Sequence, residues 1–389
     1  MSEPENLTHS IVVVGAGPVG LAAAARLADA GHDVALVAPA SPPPDRRTSA
    51  LLAGSVELLE TIGVWQAVAP ASAPLRTMRI VDATRRLIRA PEVAFEAGEI
   101  RLPAFGYNLP NAALVAALEN AVAERSVTRI EGMVAEATPG EDGVSLTLDD
   151  GRGVAARLAI AADGRRSKLR AAAGIATDDW RYDQAALVCN LRHTHPHRDT
   201  STEFHTEAGP CTLVPLPGDA SSLVWVDRPA ETERRMGLTD DELAAEIEAQ
   251  TSSILGALTI DGRRQMFPLS GMTARRFADA RTMLAGEAAH LFPPIGAQGL
   301  NLGYRDVVAL ADVLGDVDDD PGAPAVLAAY DRARRADVLS RTAAVDALNR
   351  TLLSPFLPVQ ALRGTGLFLL DRVAPLRHFA MRRGVAARA

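Results

Sequence analysis

Two glycine-punctuated stretches carry the residue types best suited to chemistry. Near the start, Gly15, Gly17 and Gly20 stand in G-x-G-x-x-G spacing, behind the apolar run Ile11–Val14 and ahead of an alanine-rich segment at 19–30. A pyrophosphate needs such a stretch. The first glycine makes the tight turn, the second clears the path of the phosphates, the third lets a helix close on the sheet, and the helix N-terminus faces the charge. Near the other end, "GEAAHLFPPIGAQGLN" at 286–301 sets Glu287, His290, the pair Pro293-Pro294 and glycines 296 and 299 before an apolar helical run. Prolines and glycines are poor core material. Bare backbone amides at a helix start suit a bound group that develops negative charge.

Such residues need elements that hold them. Ile11–Val14 suits a buried parallel strand, 19–30 a helix stopped by Gly31, and Val34–Val37 a second strand. Strand, G-x-G-x-x-G, helix and strand together are far more specific than the glycines alone. An acid about 20 residues on usually holds the ribose of a dinucleotide. Here the second strand ends Val37-Ala38-Pro39, and the nearest downstream acid is Asp45, so the ribose must be held in another way.

The rest of the chain alternates strand-like and helix-like stretches. "SPPPDRR" at 41–47 leads into a stretch expected to be helical, "TSALLAGSVELLETIGVW". Residues 76–100 suit strands and 111–125 a helix; "VSLTLDDGRGVAARLAIAADG" suits a hairpin turning at Asp150-Gly151. Residues 180–270 are mostly strand-like, with one helix near 240–250, and from 301 the pattern is helical apart from "DVDDD" at 316–320. The expected class is α/β, with an α+β insertion. A Rossmann-like nucleotide domain is assembled from 1–75, 101–178 and 271–330. A mainly β substrate domain comes from 76–100 and 179–270, and a helical tail from 331–389. With one G-x-G-x-x-G, a second domain holding a nicotinamide tightly is not expected.

Composition narrows the class. In 389 residues, 48% are hydrophobic, which supports a large core, and the net charge of −8 speaks against nucleic acid as the partner. Cys189 and Cys211 form no C-x-x-C and no zinc-like spacing, which fits a reducing compartment. The polar start "MSEPENLTHS" lacks the pattern of a signal peptide, and no run reaches the ~18 apolar residues of a membrane span. A cytoplasmic location is the expectation.

Three motifs now stand in fixed order: the glycines at 15–20, "DGRRSKLR" at 163–170, and 286–301. Together they resemble the FAD-dependent aromatic hydroxylases of the para-hydroxybenzoate hydroxylase type. Within that superfamily the chain looks most like the ubiquinone-biosynthesis hydroxylases, to which "RTSAL" at 47–51, "GPCTLVPL" at 209–216 and "GLFLLDRVAPLRHFAMRRG" at 366–384 are also similar. The resemblance implies that Gly15, Gly17 and Gly20 bind the FAD pyrophosphate and that Arg47 approaches its ribose and phosphates. It implies that Asp163 and Gly164 serve FAD and the reducing nicotinamide, and that Gly286 and Glu287 hold the ribityl chain. Pro293, Pro294 and Gly296 would wall the isoalloxazine, with Gly299, Leu300 and Asn301 at its pyrimidine edge. The chain departs from the family in having no acid after the second strand, at Glu287 in place of Asp, and at Ala112, where this branch often has arginine.

The chemistry implied by the resemblance has two halves. NADH or NADPH docks transiently and reduces FAD. The reduced flavin then takes up O2 as a C4a-hydroperoxide, which hydroxylates a phenolic ring, here a polyprenylphenol precursor of ubiquinone. Two alternatives are a monooxygenase of a small soluble aromatic and a weakly catalytic or non-catalytic accessory protein of a quinone-biosynthesis complex. No side chain is identified as a general base; His290 lies in the FAD motif and a structural role is expected for it. His193, His195 and His197 alternate, but Pro196 breaks a regular strand and no acid or cysteine cluster accompanies them, so no metal site is expected. The tail joins apolar clusters to Arg372, Arg377, Arg382 and Arg383. That composition suits either packing on the domain or a partner, or contact with a quinone-biosynthesis complex or the inner face of an anionic membrane.

Overall fold

The computed structural model describes residues 7–40, 45, 47–84, 89–293, 297–315, 317, 319–353, 366 and 372–385. Five parallel strands form the heart of the first sheet: Leu7–Val14, Val34–Ala38, Val127–Glu131, Gly153–Ala161 and Thr282–Leu284. Leu7–Val14 lies between Val34–Ala38 and Gly153–Ala161, and the hairpin of Val134–Pro139 and Val144–Leu148 extends the sheet beside Gly153–Ala161. Ile11, Val12 and Val13 are fully buried, as a strand covered on both faces requires. The fingerprint helix, Pro18–Asp29, buries Leu21 through Ala25 against this sheet.

The second sheet takes strands from distant parts of the chain, in the order His290–Leu291, Leu258–Ala274, Thr177–His193, Ala220–Asp227, Pro210–Leu216, Thr200–His205, Thr77–Asp82, Val93–Glu96. One face carries Leu187, Cys189, Leu213, Leu223 and Trp225 and is closed by the helix Asp240–Gln250 through Leu243 and Ile247. A capping box of Thr239 and Glu242 starts that helix. A further helix, Pro229–Met236, stands just before it, where the sequence suggested a single helix near 240–250.

The stretch expected to be helical from residue 48 begins as a strand. Thr48–Leu52 pairs with Gly106–Pro110, and the helix is confined to Ala53–Thr61. The pairing contributes a ladder that the apolar pattern alone does not reveal. Toward the C-terminus, the motif helix Gln298–Leu314 is followed by the long helix Pro324–Leu353 and the tail helix Ala374–Val385. Most of "LLSPFLPV" in the tail lies outside the described residues. None of the described helices is long and apolar enough to cross a membrane.

Candidate active site

The first glycine motif is shaped by backbone contacts. Gly15 has φ +109°, and a Cβ there would lie 2.2 Å from Ala162 O; one on Gly20 would lie 1.9 Å from Gly15 O. Gly17 differs, because a Cβ would meet nothing within 4 Å. It is the N-cap of the fingerprint helix, which has no side-chain cap and no acid in its first turn. The first N–H groups and the positive end of the helix therefore face open space. Beside them, the Asp163 carboxylate accepts from Lys168 N at 2.9 Å through Oδ2, while Oδ1 is buried with no partner among the described residues. Burial pushes the Asp163 carboxyl above its ordinary value. The buried acceptor without a donor suits a ligand hydroxyl, and the uncapped helix beside it suits a phosphate.

Arg47 stands at the entry to the strand Thr48–Leu52. It pairs bidentately with Asp45, with Nε at 2.9 Å and Nη2 at 2.8 Å, and its guanidinium lies 5.8 Å from the Phe267 ring centre in the second sheet. Asp45 also accepts from Arg47 N and from Asn111 Nδ2. Burial works against it, yet these bonds hold the Asp45 carboxyl at about 2. The Asp45 bond raises the Arg47 pKa, and the Glu287 carboxylate adds to the effect across the site. Arg47 thus stands in the field of the third motif as well as of its own.

In the third motif, Gly286 has φ +61° and its N–H donates to Asp306 Oδ2 at 2.8 Å. His290 Nε2 donates to the same oxygen at 2.7 Å, and Arg334 Nε, from the long helix, to Asp306 Oδ1 at 2.7 Å. Asp306 is fully buried; burial raises its pKa, but the His290 and Arg334 charges outweigh this and leave it lowered. Arg334 continues to Asp337, which also holds Arg305 and Arg341. His290 is therefore tied to a buried anchor.

Ala297, N-cap of the motif helix, sits in the left-handed region at φ +55°, strain that non-glycine residues adopt where surroundings impose it. Gly299 is exposed, with nothing within 4 Å of a Cβ, and Leu300 is half-buried. Asn301 is different. Its Oδ1 accepts from Leu52 N and Ser55 Oγ, and its Nδ2 donates to Ala50 O and Ala297 O. All four hydrogen-bonding positions of the amide are filled by protein, so this side chain ties the 47–52 strand to the motif helix. Pro294 and Gly296 lie outside the described residues.

The open face of the second sheet meets this site. Thr48 Oγ1 donates to Ser222 Oγ at 3.1 Å, and Asn108 Nδ2 to Pro215 O at 2.9 Å. By strand alternation, Val188, Val214, Val224 and Phe267 lie on the face opposite the Leu187 cluster, all half-buried. They form an apolar floor beside Arg47 and Thr48. Among the alternating histidines, His193 bonds Ser221 Oγ and His197 donates to the carbonyls of Leu216 and Gly218. Asp306 escaped the reading of the sequence. Its signal is an acid at i+4 from Leu302 and i−4 from Leu310, on a stripe that is otherwise apolar and buried.

The fold and this site define a flavin-dependent oxygenase. The chain belongs to the FAD binding domain family, whose model matches residues 8–344, and it is an FAD-dependent monooxygenase. It is 34% identical over 383 residues, 96% of this chain and 88% of the relative, to the ubiquinone hydroxylase UbiL of Rhodospirillum rubrum. It is 33% identical to the 3-demethoxyubiquinol 3-hydroxylase of Escherichia coli, covering 97% of this chain and 98% of that one. Klebsiella pneumoniae HpxO, solved with FAD and uric acid, superposes with a TM-score of 0.77 over 99% of this chain and 98% of its own, at 19% identity, a likeness of fold. The residues present fit FAD: the uncapped helix at Gly17 and the unpartnered Asp163 Oδ1 offer a donor set and an acceptor on adjoining elements.

Proposed function

We propose that this chain hydroxylates the phenolic ring of a prenylated precursor in ubiquinone biosynthesis, with NADH or NADPH as transient reductant. The observation that carries this reading is its 34% and 33% identity, over 96% and 97% of its length, to two relatives named for ubiquinone chemistry. The apolar floor of Val188, Val214, Val224 and Phe267 supports it, since a prenylated ring needs apolar surface beside the cofactor.

Bound FAD would supply the activation of O2 and the delivery of one oxygen atom to the ring. The chain's own residues position and shield. Gly15, Gly17 and Gly20 would admit the pyrophosphate to the helix end, Arg47 would approach the ribose and phosphates, and Asp163 with Gly164 would serve FAD and the reducing nicotinamide. Gly286 and Glu287 take the ribityl chain. The backbone at Gly299, Leu300 and Asn301 would hold the flavin's pyrimidine edge, where preorganised N–H donors favour negative charge. The resemblance gives Pro294 and Gly296 the wall of the ring; a site closed to water would protect the oxygen transfer from unproductive decay.

The tail is assigned to an anionic membrane surface. Its helix docks through Arg377, which is paired with Glu99 at 2.6 and 2.7 Å and lies over the Phe95 ring, and through buried Met381. Leu376 and Phe379 of this helix and Val373 just before it are exposed, and Arg372 and Arg382 flank them along the chain. Apolar residues flanked by arginines suit lipid headgroups and the acyl boundary. The test of the function is NADPH oxidation by the FAD-loaded protein. A prenylated phenol should stimulate it far more than a soluble phenol of the same ring pattern. Equal or reversed stimulation would overturn the substrate class.

A further inference from the structure

The strand Val34–Ala38 ends without the carboxylate that usually binds the ribose of a dinucleotide, and a neighbouring strand offers one. Ala38 is the register partner of Glu131 in the parallel pair Val34–Ala38 and Val127–Glu131. Both residues end their strands at the same edge of the sheet, about 4.8 Å apart across the ladder. Residues in register on neighbouring strands share a face, so the Glu131 side chain starts out on the side from which the missing acid would act.

Asp45, the next acid along the chain, is already occupied. Its two oxygens take four hydrogen bonds, three from Arg47 and one from Asn111. The Glu131 side chain is exposed, and its carboxylate has no hydrogen-bond partner among the described residues. Its backbone, in contrast, is held from several sides. Gly132 N donates to Ala38 O at 3.1 Å, Arg152 Nη2 donates to Glu131 O, Met133 N donates to Asp149 Oδ1 at 3.0 Å, and Asp149 N donates to Met133 O at 2.9 Å. A fixed backbone with an uncommitted carboxylate is a preorganised acceptor. Met133, next to it, is 57% exposed, an unusual position for a large apolar side chain and one that a purine ring would cover.

We propose that Glu131 binds the adenosine ribose hydroxyls of FAD in place of the absent acid at position 38, with Met133 packing on the adenine. The ribose-binding carboxylate has moved one strand sideways in the sheet while keeping its level along the strand direction.

FAD and FMN titrations, followed by quenching of flavin fluorescence, test this without turnover, because FMN lacks the adenosine half. Glu131→Gln should weaken FAD binding about tenfold, the loss of roughly one charge-assisted hydrogen bond, and leave FMN binding unchanged. Adding Ala38→Glu to that variant should recover FAD affinity. Unchanged FAD affinity in Glu131→Gln, or an equal loss for FAD and FMN, would overturn the assignment. Because Ala38 is buried, the double variant can fail to fold; the FAD-against-FMN comparison in the single variant then decides alone.

Discussion

Val19 of the fingerprint helix lies directly against Gly286 of the third motif: a Cβ on Gly286 would come within 3.2 Å of Val19 Cγ2. Gly303, one turn into the motif helix, faces the same side chain, and a Cβ there would come within 2.5 Å of it. Two glycines thus let the segments at the two ends of the chain close on one another. Gly303→Leu should force the helices apart. It should cost about 1–3 kcal/mol in urea unfolding and weaken FAD binding, because both grips on the cofactor shift together. A variant with unchanged stability would show that the contact is not tight.

Gly17 and Gly20 should separate binding from folding. A side chain at Gly17 meets only open space, so Gly17→Val should leave the apo-protein within about 0.5 kcal/mol of the parent and abolish FAD retention. At Gly20 the clash is with backbone, so Gly20→Ala should destabilise the apo-protein itself, by about 3 kcal/mol. Thermal melts of both apo-proteins, with the flavin absorbance of the purified variants, give the comparison.

Asp306 joins the turn at Gly286, the ring of His290 and the long helix. Asp306→Ala leaves Arg334 as a buried cation short of a partner and should cost about 3–5 kcal/mol. Asp306→Asn keeps an acceptor for one of the donors and should cost less. Denaturant unfolding of the two variants measures the difference, and equal, small losses would contradict the role of the carboxylate.

The acid dependence of cofactor binding follows from Asp163. Its pKa in the free protein is raised by burial, so the folded chain holds a proton there that the unfolded chain releases earlier. Its contribution to apo-protein stability is therefore present below the ordinary carboxylate range and declines as pH rises toward the raised value. A ligand hydroxyl donating to Oδ1 favours the carboxylate. FAD affinity should then rise with pH through the same window and level off above it. Asp163→Asn should flatten that rise, as read by flavin fluorescence titration at several pH values.

The tail assignment predicts that Leu376→Glu with Phe379→Glu abolishes co-sedimentation with vesicles of anionic phospholipid. The wild type should bind these vesicles and lose binding in high salt as screening removes the arginine contribution. Arg377 and Met381 hold the helix to the protein, so Leu376→Glu alone should keep the melting temperature while weakening vesicle binding. Wild type that stays in the supernatant at low salt would sink the membrane reading.

The sequence revealed those parts of the molecule whose physics is local. The turn at Gly15, the uncapped helix start at Gly17 and the hairpin at Asp150-Gly151 each follow from a few adjacent residues. Contacts between distant segments were not legible. "TSALL" has the composition of a helix start, and only its partner Gly106–Pro110 makes it a strand. Asn301 belongs by position to the flavin motif, yet its amide is consumed by Ala50, Leu52, Ser55 and Ala297. Asp306 lies outside the motif and secures it, and its partner Arg334 sits in another helix. Glu131 is unremarkable in sequence and gains meaning only from its register against Ala38.

The proposed function requires FAD bound to this chain to place one atom of molecular oxygen on a prenylated phenolic ring. Turnover of the FAD-loaded protein with NADPH, the prenylated phenol and 18O2, followed by mass spectrometry of the ring product, tests it most directly. One labelled oxygen per hydroxylated ring is expected, with consumption of the nicotinamide coupled to its appearance. A product carrying only oxygen from water, or nicotinamide consumed with the ring unchanged, would contradict it.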